Sequence, residues 1–117
     1  MTYRNLQVWQ KAMDLVEKIY MLTKLLPEEE KFGLASQMRR AAVSIPSNIA
    51  EGYCRSSTKE YIKFLYVAKG SNSELFTQLL ICERIGLFSN EQISTATLSS
   101  EEISRMLSAI ILKLEEK

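Results

Sequence analysis

The chain has no histidine. That removes the side chain most used as a general base near neutral pH and as a transition-metal ligand. Cysteine is scarce too. Cys54 and Cys82 have no neighbours at metal-ligand spacing, so they read as packing residues in a reducing cytosol. Two prolines and four glycines leave little room for turn-rich or disordered organisation. No apolar run approaches the ~20 residues needed to cross a bilayer. The opening MTYRNLQVWQKAMD is interrupted by charge and is not expected to act as a signal peptide. A cytoplasmic protein without membrane contact is expected. No glycine-rich loop follows a strand, because no strand pattern is present. Helical bundles can hold paired metals, but with Glu and Glu-x-x-His ligands from facing helices. Glu51 and Glu74 offer two carboxylates and no imidazole. Ser44, Ser47 and Ser71 have no base to activate them. Neither an enzyme nor a bound metal or cofactor is expected.

What is present concentrates in Gln37 to Gly52, QMRRAAVSIPSNIAEG. Ala35, Met38, Ala42, Ile45 and Ile49 recur at three- and four-residue spacing, one face of a helix. Gln37, Ala41, Ser44, Asn48 and Glu51 form a second stripe beside it. A solvated stripe would carry Lys and Glu. Short uncharged groups ending in one carboxylate predict a tightly packed seam with specific hydrogen bonds. Pro46 lacks the N–H that would reach the Ala42 carbonyl and should kink this helix.

Four helices are expected. The first runs from about Leu6 to Leu26, with Trp9, Ala12, Met13, Val16, Ile19, Tyr20 and Thr23 on its face. Leu15 and Leu22 widen that face, and Trp9, Leu15, Tyr20 and Leu22 exceed what one core should absorb. Pro27 stops the helix. The second runs from about Lys31 to Tyr53, with Glu28 to Glu30 at its positive end. A capping box at Ser57-Thr58-Lys59-Glu60 opens the third, which Gly86 closes. Gly70, mid-helix, suggests close approach of another backbone. A second capping box, Ser89 to Gln92, opens the fourth, with Ile93, Ala96, Ser100, Ile103, Leu107, Ile110 and Leu114 in register. Three connections of about four residues force antiparallel neighbours. Residues 1–117 are expected to form one all-α domain, an antiparallel up-down-up-down four-helix bundle with its second helix kinked at Pro46.

Net charge is +1, unevenly spread. Residues 31–69 hold seven basic and two acidic groups, +5; the segments before and after hold −1 and −3. Arg55, Lys59 and Lys63 repeat at four-residue spacing, with Tyr66 close by. Together with Arg39 they form a candidate phosphate-directed surface for nucleic acid. The same charges also read as a subunit contact or as plain solvated surface. Arg39 and Arg40 read either as members of that patch or as partners of Glu51 or Glu74 inside the bundle.

The chain resembles the family of small four-helix-bundle proteins first noticed in intervening sequences of bacterial 23S ribosomal RNA genes. The resemblance rests on LQVWQKAMDL, Pro27 and Glu30, FGLASQMRRAAVSIPSNIAEG from Phe32 to Gly52, GSNSEL from Gly70 to Leu75, ICERIGL, and RMLSAIILKL. It implies a four-helix bundle, commonly in a ring-shaped homopentamer. From the polar stripe and its surroundings, Gln37, Ser44, Asn48 and Glu51, with Arg40, Pro46, Gly52 and Glu74, are expected to be structural. A distant branch, the accessory variability protein of diversity-generating retroelements, binds nucleic acid and a reverse transcriptase. That branch is more strongly basic than this chain. Two functions stay open: an oligomeric scaffold binding structured RNA or DNA through a basic face, or a module that docks a protein partner.

Overall fold

The structure, a computed structural model, describes residues 2–116; the two end positions of the expected 1–117 domain lie outside the described residues. A short 3-10 turn, Tyr3–Asn5, leads into α1, Gln7–Thr23. A second 3-10 turn, Glu28–Glu30, precedes α2, Leu34–Tyr53. Then come α3, Thr58–Arg84, and α4, Asn90–Glu115. There is no strand among the described residues. Each helix packs on its neighbour in sequence, and α1 closes on α4, so the bundle is square in section. It measures 46 × 22 × 20 Å. This is the antiparallel four-helix bundle the patterning predicts.

The core is one cluster running the length of the bundle. Leu15, Ile19, Met38, Ile45, Ile49, Leu65, Leu75, Leu79, Ile103 and Leu107 are fully buried in it. All five apolar positions of α2 read from the sequence are buried. On α1 the buried stripe is Val8, Ala12, Leu15, Ile19 and Thr23, rotated from the expected face. Leu15 is absorbed completely, against expectation, whereas Met13 and Tyr20 are about 40% exposed. On α4 the buried position near the end is Ile111, with Ile110 only half-buried. The expected heptad falls one position off phase there, because an ideal helix drifts against a seven-residue repeat.

The ends follow local chemistry. The α3 stop is a full Schellman turn: Leu87 N–H donates to Cys82 O at 2.8 Å and Gly86 N–H to Glu83 O at 3.1 Å. Gly86 takes φ +84°, where a side chain would be strained. At Ser89 both halves of the capping box form. At Ser57 only half of the expected box forms: the hydroxyl accepts from Glu60 N–H at 3.2 Å. The α4 helix continues through Leu98 to Ser100 without a break. The α2 helix continues through the buried Pro46 as one element. The first connection departs from expectation. It spans residues 24–33, not about four, because α1 ends at Thr23 and α2 begins only at Leu34. The acidic run Glu28 to Glu30 forms its own turn outside α2, and only Glu30 reaches the helix, accepting from Leu34 N–H at 3.4 Å.

Close approach of backbones occurs at Gly52, not at Gly70. A Cβ on Gly52 would lie 2.6 Å from Phe64 Cβ and 3.2 Å from Tyr61 O. A Cβ on Gly70 would meet nothing within 4 Å. So Gly52 lets α2 and α3 touch beside their shared loop, and Gly70 faces solvent. Two buried polar groups pin α3 to α4. Asn72 donates through Nδ2 to Ser100 O at 2.8 Å, and Ser100 Oγ donates to Asn72 Oδ1 at 2.9 Å. Cys82 lies in the core beside Met38, and burial, with Glu30 nearby, pushes its thiol pKa up. Cys54 is exposed.

Candidate functional site

The polar stripe of α2 divides in two. At its centre, Ser44 Oγ meets Ser71 Oγ of α3 at 2.8 Å. Asn48 Nδ2 donates to Ser44 O at 2.8 Å and to Ser44 Oγ at 2.9 Å. These three half-buried groups are the seam that the sequence predicts. Gln37 and Glu51 lie outside it, and both are exposed. The helix turns them past the contact line with α3, since the stripe spans more of the helix circumference than one seam can cover.

The two arginines of the motif diverge. Arg39 turns toward α1, where its Nε donates to Thr23 Oγ1 at 2.8 Å and its guanidinium stacks over Tyr20 at 4.7 Å. Thr23 passes the contact on, donating to Ile19 O at 2.7 Å. Arg40 turns the opposite way and is exposed. Neither pairs with Glu51 or Glu74. Glu51 is taken by Arg55 at 2.6 Å, and Arg40 and Glu74 form no ion pair among the described residues.

The expected basic face is therefore smaller than four residues. Arg55 sits in the α2–α3 loop, not on α3, and stacks over Phe64 at 4.7 Å while paired with Glu51. Arg39 is half-buried against α1. Lys59 and Lys63 remain exposed on the first two turns of α3 without an ion pair among the described residues. Tyr66 is half-exposed, and its hydroxyl reaches Glu115 Oε2 at 3.5 Å. Four-residue spacing does not carry Arg55 onto α3, because the Ser57 cap starts the helix after it.

Among the surface grooves, three involve the motif residues or exposed apolar side chains. One, of about 640 Å³, lies between α2 and α3 and is lined by Phe32, Gln37, Arg40, Ser44, Ser71 and Glu74. Six of the motif positions singled out in the sequence or their neighbours in α3 thus share one wall-and-floor arrangement. A second groove, of about 340 Å³, is apolar and lies between α1 and α2, with Trp9, Met13, Val16, Val43 and Pro46 along it. A third, of about 380 Å³, is formed by Met21 and Leu22 of α1 and Leu25 of the following connection against Thr95 and Ala96 of α4. No group of three or more His, Cys, Asp or Glu side chains among the described residues is placed to hold a metal ion. No helix among the described residues is long and apolar enough to cross a membrane.

These features define a small helical-bundle protein with a polar α2–α3 seam and apolar outer grooves. The family profile of the 23S rRNA-intervening sequence protein matches residues 4–109, and the chain belongs to that family. Among solved structures it is similar to a protein of unknown function from the S23 ribosomal protein family of Bacteroides thetaiotaomicron. The two are 28% identical, the match covers 89% of this chain and 97% of the other, and the TM-score is 0.83. No curated protein matches the sequence.

Proposed function

We propose that this protein is a non-catalytic cytoplasmic scaffold that assembles into a closed homo-oligomer, most simply a head-to-tail pentamer, and binds structured RNA or DNA on a basic face. The observation that carries the assembly is apolar surface left outside a complete core. Met21, Leu25 and Leu98 are each 65–69% exposed, and Trp9, Met13 and Val43 line an apolar groove on another side. Apolar surface on several faces of one small domain marks contact with other chains. Different patches on different sides suit a head-to-tail contact, which closes into a ring when the rotation allows.

The nucleic-acid contact is phosphate-directed and centres on Lys59 and Lys63. Two lysines per subunit bind feebly, and a ring multiplies them. Changing both to Glu should abolish binding of structured RNA or duplex DNA, measured by fluorescence anisotropy at low salt, with the circular dichroism spectrum unchanged. Binding by the parent should fall steeply with salt. Unchanged binding in the double variant, or none by the parent at tens of micromolar, would overturn this reading. A second reading has its own support. Arg39 and Arg55 are committed to Tyr20, Thr23, Glu51 and Phe64, which suits a module that docks a protein and uses its arginines for structure.

A further inference from the structure

The α2–α3 groove has a composition that neither assembly nor the lysine face uses. Arg40 and Glu74 line it from opposite helices, both exposed, with no ion pair between them. Two opposite charges that share a groove without pairing leave both binding capacities open. Between them the Ser44–Ser71 hydroxyl contact supplies a polar floor. One turn further along α3 the Gln78 amide donates to Glu74 Oε2 at 3.3 Å, while Gln78 Oε1, in a residue only 5% exposed, has no partner. At the rim stands Phe32, 89% exposed, the most exposed large apolar residue described. The Lys31 ammonium lies 5.6 Å from its ring centroid.

Each part has a chemical complement. A guanidinium takes an oxyanion in a forked geometry. A carboxylate accepts from a pair of N–H donors. An exposed aromatic ring takes a flat π-system. A free amino acid would satisfy the two charges but leave the ring and most of the groove unused. At about 640 Å³ the groove falls in the range of about 300–1,000 Å³ usual for small-ligand clefts. Guanine has two adjacent N–H donors on its Watson–Crick edge, a stacking face, and a phosphate at the other end of the nucleotide. We propose that this groove is a binding site for a guanine nucleotide, free or within a single strand, with the base stacked on Phe32, its donor edge on Glu74 and its phosphate on Arg40.

The single-strand form of this proposal rests on the nucleic-acid reading above, so the test separates the two. Guanosine monophosphate and six-nucleotide RNAs of alternating U-G or U-A sequence are titrated into the parent and variants, with binding followed by NMR shifts and anisotropy. Guanosine monophosphate should shift amides of α2 and α3 around Ser44 and Ser71. The U-G strand should bind about tenfold tighter than U-A. Glu74→Gln should erase that preference, and Phe32→Ala should weaken binding of the U-G strand about tenfold. Both positions are exposed, so both variants should keep the parent spectrum. If guanosine monophosphate binds but the strands do not, the free nucleotide is the ligand and the site stands. If U-G binding survives Lys59→Glu with Lys63→Glu, the groove acts alone and only the lysine-face reading falls. Measurable but equal binding of U-G and U-A, or no shift at millimolar nucleotide, overturns the proposal. Loss of assembly in Phe32→Ala, seen by light scattering, also overturns it, because the ring would then belong to a second copy.

Discussion

Gly52→Ala should lower the melting temperature by about 8 °C, while Gly70→Ala should raise it. Both glycines lie inside helices, where alanine is favoured by up to ~1 kcal/mol. At Gly70 nothing opposes that gain, since an added Cβ meets open space. At Gly52 the added Cβ would stand 2.6 Å from Phe64 Cβ, an atom fixed to the α3 backbone. It cannot rotate away, so α2 and α3 must separate where they sit closest. Overpacking of this kind costs ~1–3 kcal/mol, occasionally more. For a domain of this size each kcal/mol shifts the melting temperature by about 4 °C. A thermal melt of the two variants checks the sign at each site. Equal shifts would contradict the close approach at Gly52.

Asn72→Ala should destabilise the bundle by about 2 kcal/mol. Asn72 and Ser100 are 2% and 1% exposed and exchange hydrogen bonds between α3 and α4. Removing one member strips the buried Ser100 hydroxyl of its acceptor and leaves a small void, and a buried group left unpaired costs ~1–3 kcal/mol. Replacing both members by apolar groups should cost much less, because no polar atom is stranded. Asn72→Leu combined with Ser100→Ala is therefore expected to be more stable than Asn72→Ala. Urea titrations of the three proteins supply the comparison. Full stability of Asn72→Ala would mean that the pair contributes nothing.

The bundle was legible because its signals are local. Capping serines at Ser57 and Ser89, the stop at Gly86 and the spacing of Met38, Ile45 and Ile49 each act within a turn or two of chain, and each is met in the structure. What failed needed knowledge of the facing helix. Periodicity puts Trp9 and Leu15 on one broad apolar face, but only the packed neighbours decide that Leu15 is buried and Trp9 half-buried. Gly52 and Gly70 look alike in sequence, and only the position of Phe64 separates them. Arg39, Arg40 and Arg55 look like one basic group. The fold sends Arg39 to α1, Arg40 to the α2–α3 groove and Arg55 onto Phe64. Asn72 and Ser100 were the one long-range signal open to reading: polar residues at core positions of adjacent helices.

The central claim is assembly, since both the multiplied lysine face and the burial of the outer apolar residues depend on it. Size-exclusion chromatography with multi-angle light scattering at micromolar protein measures it directly. The chain mass is 13.4 kDa. One species at five times that mass, about 67 kDa, is expected, and it should shrink when Leu25 and Leu98 are changed to Lys. A single species at 13.4 kDa would contradict it.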